Sequence, residues 1–412
     1  MESSVQYYRE DNEIRAKYTN LYYINNAFHF LTTNNTIILE KVRSTSELED
    51  FLPSVIIFEN IDKLNEYIHS IKFSIVNGIT SYFSHYYNWN IAHGLYDSLY
   101  PVYLTYLKIV NTESIFNLFI NLLHIPDWFT REPSREWVLD IFKKFSGGLC
   151  IINNYENQRI NENYIFDTLI VGNGLAGIRS VNKQGEMPGR DLHALERFRN
   201  RMFSSYNIQP RTRINNEKLA IRVINCRRYS ANERSVLMKI IEELKDKGHV
   251  VDYINWENIT VFRDQLEIMN STDLHISGCG TSMLNFPFLN DNCVHINLGA
   301  NPIVGCDIPG LMEVNISLLS NNITCDYYNI FDFKQILYEP LITQINTHIY
   351  NLINNIKIPK IVPNYINAWR QLCVDKDFDI FIKKMNGLIT PHLMQYRWIE
   401  CVTYKYGPFE HI

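Results

Sequence analysis

The sequence lacks an uninterrupted apolar run of the length, about 20 residues, that a membrane-spanning helix needs. Residues 1–20 are polar and charged and contain no apolar segment of the kind that a secretory signal requires. We therefore expect a cytoplasmic protein with no integral membrane segment. A basic surplus is also lacking, since the formal net charge is −5 over 412 residues. This balance disfavours nucleic acid as a partner.

Paired cysteine motifs are absent as well. The eight cysteines are scattered and form no CxxC motif, so we interpret them as small buried side chains in a reducing compartment. Hydrophobic residues make up 46% of the chain and charged residues 20%, which is typical of a globular protein. A chain of this length favours two domains.

Residues 219–299 contain the most informative pattern. Apolar runs at 219–225, 249–254, 273–277 and 293–298 predict strands, and helical periodicity separates them. Ser230 precedes Glu233 by three residues, which predicts a capping box at the start of the first helix. A second helix is expected over 261–269. This alternation predicts a parallel sheet flanked by helices.

Two of these predicted strands lead into loops that suit phosphate. Arg227 and Arg228 follow the first strand, and a Gly-x-Gly-Thr-Ser turn over 278–282 follows the third and opens a helix. Guanidinium groups and helix N-termini both bind phosphate oxygens. We therefore predict a nucleotide-diphosphate site at the carboxyl ends of the strands, where such sheets bind ligands. Its predicted residues are Arg227, Arg228, Gly278, Gly280, Thr281 and Ser282.

The order of these motifs resembles the C-terminal half of glycosyltransferase family 61, which includes O-linked N-acetylglucosaminyltransferases and xylosyltransferases. The resemblance rests on Arg227-Arg228, Gln265, Gly278-Cys279-Gly280, Asn285 and Phe286-Pro287. Members often carry His-Gly-Ala-Gly at the last loop, whereas this chain has Ser277 in place of the histidine and Cys279 in place of the alanine. That departure leaves the donor specificity open.

His93 and Asp97 are the candidate catalytic residues of the N-terminal half. If a helix starts near residue 90, they lie four residues apart on one face near its first turn. Such a pair can act as an oriented general base. Alternatively, Asp97 has a structural role: it accepts a hydrogen bond from a core histidine, or its negative charge stabilises the positive end of the helix. Family 61 members have an Asn…His…Asp…Pro pattern here, which Asn90, His93, Asp97 and Pro101 match. The resemblance implies that this helix faces the cleft, with His93 as the base and Asp97 its rival.

The N-terminal half also carries local patterns of its own. Strands are expected at 21–24, 36–39, 54–58, 73–76, 149–152 and 164–166, with helices at 63–71 and 137–142. A literal GxGxxG at 172–177 follows a strand, but the residues after it lack a helical apolar stripe. The pattern therefore disfavours a dinucleotide-dependent dehydrogenase. Asp375, Asp377 and Asp379 are interpreted as a solvated helix cap, and no metal site is expected.

The resemblance implies an α/β protein of the GT-B type, with two Rossmann-like lobes, a central cleft and C-terminal helices that cross back. Residues 1–205 would form the lobe for acceptor and catalytic base, 206–330 the nucleotide-sugar lobe, and 331–412 a helical segment across both. The implied reaction is an inverting, metal-independent transfer of sugar from a nucleotide sugar, UDP-linked such as UDP-GlcNAc or UDP-xylose, to a hydroxyl of a glycan or glycoprotein. No cofactor is expected beyond this donor. The alternative is a non-catalytic nucleotide-sugar or glycan-binding module on a degenerate transferase fold.

Overall fold

The structure is a computed structural model with a mixed α/β fold. It describes residues 1–10, 13–44, 50–85, 91–122, 134–154, 160–172, 192–211, 218–227, 229–278, 285–298, 320, 323–328 and 335–357. The chain divides into two compact units, with the division between residues 183 and 184. No helix in these ranges is both long and apolar enough to cross a membrane.

Most of the first unit is one large sheet with helices packed on it. The strands of this unit are β1 (Ser4–Glu10), β2 (Glu13–Ile24), β3 (Ala27–Thr32), β4 (Val42–Arg43), β5 (Asp50–Phe51), β6 (Ser54–Ile57), β7 (Phe73–His85), β8 (Phe116–Leu122), β9 (Gly147–Asn154) and β10 (Asn163–Val171). Of these, β4 and β5 pair with each other in a separate two-stranded sheet. Its helices are α1 (Ile61–His69), α2 (Ile91–His93), α3 (Tyr100–Val110) and α4 (Ser134–Ser146), and a π-helix over Gly94–Leu99 joins α2 to α3.

The large sheet has eight strands in the order β6-β3-β2-β10-β7-β8-β9, with β1 also paired to β2. Strands β10, β7, β8 and β9 run parallel, whereas β2 is antiparallel to β1, β3 and β10. The carboxyl ends of β7, β8 and β9 therefore meet at one edge. Such an edge is where α/β sheets bind ligands.

Helix α3 forms much of the core behind this edge. Residues 100–107 are all buried, because the sequence Tyr-Pro-Val-Tyr-Leu-Thr-Tyr-Leu is apolar on every side. Pro101 lies in the first turn of α3, directly after the π-helix. Asn111 ends the helix in the left-handed conformation, with φ of 57°.

The second unit contains a five-stranded, wholly parallel sheet. Its elements are α5 (Ala194–Ser205), β11 (Ala220–Ile224), α6 (Ala231–Asp246), β12 (Val250–Ile254), α7 (Phe262–Asn270), β13 (Leu274–Ser277), β14 (Cys293–Asn297), β15 (Ile323–Tyr327) and α8 (Tyr338–Ile353). The strand order is β12-β11-β13-β14-β15. Numbered within the unit, this is 2-1-3-4-5, the order of flavodoxin-like doubly wound sheets.

Helices cover both faces of this sheet. Helices α6 and α8 share one apolar cluster with alternate residues of β11, β12, β13 and β14. On the other face, Phe288 contacts Phe262 of α7 and Phe198 of α5, and Phe286 stacks on His295 of β14. The predicted capping box at Ser230 and Glu233 is confirmed.

The prediction of an α/β fold is confirmed, and so are most of the predicted strands. The strand expected at 36–39 is wrong, because those residues are not extended into a ladder. The hairpin instead turns at Asn25 and Asn26, whose φ angles of 49° and 66° belong to a type I′ turn. Strand β3 therefore starts at Ala27. The two-lobed GT-B arrangement stays a prediction.

The two compact units divide at 183/184, and the domain boundaries expected at 205/206 and 330/331 stay predictions. Helix α5 belongs to the second unit because Phe198 and Phe203 pack on Phe288. Helix α8 packs on α6 in the same unit. Residues 358–412, including the helix predicted at 362–374, lie outside the described residues.

The GxGxxG motif begins at a glycine with a packing role. Gly172 follows β10 with φ of +124°, and an added Cβ would lie 2.7 Å from the Cα of Arg15 on β2. Thr105 of α3 donates a hydrogen bond of 2.8 Å to the Gly172 carbonyl. Gly172 thus allows the end of β10 to lie close to both β2 and α3. The other glycines of the motif lie outside the described residues.

A pair of glycine substitutions tests this packing role. We expect Gly172→Ala to lower the free energy of unfolding by about 2–5 kcal/mol, because it adds a steric clash to an unfavourable φ. Gly78→Ala is the matched control, since its φ is +79° but its Cβ would meet no described atom within 4 Å. Gly78→Ala should lower the free energy of unfolding by only about 1–2 kcal/mol. Urea denaturation measures both, and equal losses would contradict the close approach.

Candidate functional site

Strands β11 and β13 lie side by side at the point where the strand order of the second sheet reverses. Ile221 pairs with Leu274 and Val223 with Ile276. From β11 the chain continues through α6 to β12 on one side, whereas β13 leads to β14 on the other. The loops after β11 and β13 therefore leave the same edge and flank a topological switch point, the place where open α/β sheets bind ligands.

The loop after β11 is held in place by its neighbours. The Asn225 amide donates to the Ile254 carbonyl at 2.7 Å, and the Tyr253 hydroxyl donates to the Asn225 side chain at 2.8 Å. Arg234 of α6 donates to the carbonyls of Cys226 and Arg227 at 3.3 and 3.4 Å. The Arg227 backbone is thus fixed while its side chain is exposed. Arg228 lies outside the described residues.

The loop after β13 approaches the first loop closely at Gly278. A Cβ at this position would lie 2.9 Å from the Tyr229 hydroxyl oxygen and 3.1 Å from a ring carbon. Tyr229 is only 5% exposed, so its ring cannot move freely away. The two predicted loops are therefore in contact, and the contact needs a glycine. Gly280, Thr281 and Ser282 lie outside the described residues.

The start of α6 is not open to an anion, although it lies at the same edge. Glu233 accepts hydrogen bonds from the Ser230 amide at 2.8 Å and the Ser230 hydroxyl at 2.9 Å. Its other oxygen accepts from the Ile336 amide at 3.3 Å. This buried carboxylate already satisfies the positive end of the helix. Among the described residues of this edge, the exposed side chain of Arg227 remains available to an anion.

Two residues of the family-like pattern meet behind that loop. The Asn285 side chain donates to the Gln265 side-chain oxygen at 2.9 Å, and Gln265 donates in turn to the Ile259 carbonyl at 2.7 Å. Both side chains are buried. They anchor the segment after the loop to α7, which is a structural role within the site.

A buried histidine pair lies on the α7 side of the sheet. His275 and His295 are register partners on β13 and β14, and their Nδ1 atoms are 2.8 Å apart. Burial lowers the pKa of His295 to about 3 and the pKa of His275 well below its usual value. The pair is neutral and shielded by Phe286, so it is a packing feature. Sequence reasoning missed it because two separate strands supply it.

Ser277, where the family has its histidine, is the last residue of β13. It is fully buried, and its hydroxyl has no hydrogen-bond partner within the described ranges. It lies next to Gly278 at the edge where the predicted ligand would bind. The hydroxyl offers a donor or an acceptor there, but no imidazole.

The predicted catalytic residues follow the carboxyl end of β7 in the first unit. His93 ends α2, and the position of its side chain lies outside what is described; Asp97 is 7% exposed within the π-helix. A helical segment starts at Ile91, and π-helical turns replace α-helical ones over residues 94–99. Single π-helical turns are frequent at functional sites. Ser98 bonds to Nδ1 of His85 at 2.9 Å and ties this segment to the strand.

Searches for a metal-binding cluster among the described residues and for similar proteins both found nothing. The described residues contain no group of three or more His, Cys, Asp or Glu side chains that could hold a metal ion. No protein-family model matches the chain, and no curated protein matches it either. The resemblance to glycosyltransferase family 61 therefore rests on its short motifs alone and stays a hypothesis.

The histidine pair predicts a pH dependence of stability. An unfolded histidine titrates near pH 6.5, whereas buried His295 stays neutral until a much lower pH. The contribution of His295 to the free energy of unfolding is therefore fully present above about pH 6.5. It falls as the pH drops below that value, by about 2 kcal/mol at pH 5.

Unfolding by urea between about pH 5 and 7.5 measures this slope, above the range in which ordinary carboxylates titrate. His295→Gln should have a shallower slope than the wild type, because glutamine carries no titratable group. An unchanged slope in His295→Gln would contradict the argument.

Proposed function

We propose that the second unit binds a nucleotide sugar and that the protein is a glycosyltransferase. The observation that carries this proposal is the contact between the Arg227 loop and the Gly278 loop across neighbouring strands of a 2-1-3-4-5 sheet. Ligands with a phosphate group bind at this switch point in doubly wound folds. A fold alone does not imply a reaction, so the site chemistry must support the rest.

The electrostatics of the edge favour a diphosphate. Arg227 is exposed on a loop whose backbone is fixed by Arg234, and Glu233 has already closed the competing helix start. A planar guanidinium can bind two phosphate oxygens together. Arg228 and the predicted helix after Gly280 would add to the same positive field.

The proposed reaction is an inverting, single displacement. A general base removes the proton of an acceptor hydroxyl while its oxygen attacks the anomeric carbon from the face opposite the diphosphate. The diphosphate leaves with the bonding electrons, and the arginines stabilise its charge without a divalent ion. His93, oriented by Asp97, is the proposed base, with Asp97 itself as the rival. The proposed donor is UDP-linked and the acceptor is a glycan or glycoprotein.

One observation favours the non-catalytic alternative. The family-like motif at 277–280 lacks its histidine, and the buried Ser277 stands in its place. A protein that binds UDP-sugars but neither hydrolyses nor transfers them would be such a module. The next two experiments separate the alternatives, because the first measures binding and the second measures turnover.

Removal of the Arg227 guanidinium tests the nucleotide site. We expect Arg227→Ala to weaken UDP binding about 10- to 100-fold, the effect of losing a charge-assisted hydrogen bond. Arg263→Ala removes the same charge from the exposed face of α7, where Arg263 pairs with Glu267 at 2.8 Å, and should leave the affinity unchanged. Isothermal titration calorimetry measures both. Equal UDP affinity in the two variants would remove Arg227 from the site.

Substitution of the proposed base tests catalysis. We expect His93→Ala and Asp97→Asn to lower turnover of UDP-sugars about 10²–10⁴-fold, the usual effect of losing a general base. Both should bind UDP as the wild type does. His69→Ala, at an exposed histidine of α1, is the control and should keep full activity. Wild-type turnover in both variants would exclude His93 and Asp97 from the mechanism. Separately, complete loss of activity of the wild-type protein in a chelator would refute metal independence.

A further inference from the structure

The first unit contains a pocket of about 200 Å³ that sequence reasoning did not find. It lies on the face of the large sheet opposite α4. Phe83 and His85 of β7 contact Phe142 of α4, so the alternate residue Tyr82 faces the other side and lines the pocket. The pocket reaches the carboxyl ends of β8 and β9.

Aromatic rings form one wall of this pocket. Phe28 of β3 makes edge contacts with Phe51, Tyr82 and Phe119 at centroid distances of 5.0, 5.3 and 5.1 Å. Tyr23 at the end of β2 contacts both Phe28 and Phe119. These mutual contacts hold the rings in one arrangement. The pocket therefore offers a preformed apolar surface.

Two buried amides form the inner end. Asn121 and Asn153 are register partners on β8 and β9, and each is 3% exposed. Asn153 donates from Nδ2 to Oδ1 of Asn121 at 3.1 Å. Its own Oδ1 is buried and has no hydrogen-bond partner in the part of the chain that the structure describes. A buried acceptor without a donor is costly, so this oxygen is suited to a donor supplied by a ligand.

The mouth of the pocket opens to solvent and carries a carboxylate. The Asp50 side chain is 46% exposed and lies 3.9 Å from Nζ of Lys41. Leu52 and Ala27 beside it are exposed. A ligand can therefore enter at this rim, where a second acceptor is present.

The size and chemistry of the pocket select the ligand. A cavity of about 150 Å³ admits benzene, so a pocket of about 200 Å³ accommodates one substituted six-membered ring. The amide oxygen and the carboxylate accept hydrogen bonds, whereas the aromatic wall suits C–H groups. A quaternary ammonium ion has no hydrogen-bond donor for Asn153.

We propose that this pocket binds a single sugar ring. One hydroxyl donates to Oδ1 of Asn153, a second lies near Asp50, and the C–H face packs on Phe28 and Tyr82. Identification of this ring as part of the acceptor rests on the proposed transferase function. Binding of the ring itself does not.

Ligand-observed NMR titration of the full chain without nucleotide tests the pocket. The probes are N-acetylglucosamine, galactose, mannose and xylose, with choline as the competing chemistry. We expect at least one sugar to bind at millimolar concentration. Asn153→Leu should weaken that binding at least about fivefold, the effect of losing one hydrogen bond. Ala27→Trp should abolish it by filling the mouth without a change in the buried core.

Asn117→Leu is the matched control on β8. Asn117 donates to the Asn77 carbonyl and accepts from the Leu149 amide, but it does not line the pocket. This variant should keep the sugar affinity of the wild type. Thermal unfolding confirms that each variant is folded, and if Asn153→Leu is not, Ala27→Trp decides the test.

Separate outcomes distinguish this site from the nucleotide site. Arg227→Ala should keep the sugar affinity, and Ala27→Trp should keep the UDP affinity. The proposal is overturned if no sugar binds, if choline binds where sugars do not, or if Ala27→Trp leaves sugar binding unchanged. None of these results depends on whether the chain binds UDP.

Discussion

Parallel pairing of β11 with β13 brings the two halves of the candidate nucleotide site together. Because these strands are neighbours, the loops that follow them leave the same edge, although about 50 residues separate them in sequence. The contact of Tyr229 with Gly278 then sets how closely the loops approach. The start of α6 is closed by Glu233, whereas Arg227 is exposed at the same edge. The proposed function depends on this arrangement.

The two units bury comparable pairs of polar residues with different consequences. In each, two identical side chains lie in register on neighbouring parallel strands and bond to each other, His275 with His295 and Asn121 with Asn153. Phe286 covers the histidine pair, so burial keeps it neutral and leaves it no access to a substrate. The asparagine pair instead faces a pocket with an open rim. Access to solvent, and not residue type, separates a packing feature from a candidate binding site.

Local pattern predicted much of the secondary structure because the relevant signals lie within a few residues of each other. The capping box at Ser230 and the alternation from β11 to β14 are of this kind. Local conformation overrode periodicity at two places. The left-handed pair Asn25-Asn26 turns the first hairpin earlier than the apolar pattern indicated, and the π-helix interrupts the helical spacing assumed for His93 and Asp97. The packing of α5 against Phe288 is a long-range contact that no local pattern indicates.

The sequence by itself determined the alternation of strands and helices, predicted the phosphate-suited loops and disfavoured a dinucleotide site after Gly172. Each follows from spacing along the chain, to which short-range sterics and hydrogen bonding respond. Only the tertiary structure decided that Gly278 lies against Tyr229, that Gln265 bonds to Asn285, and that an aromatic pocket ends at Asn153. These features join residues far apart in sequence. They depend on strand order and register, which long-range burial selects and no local pattern encodes.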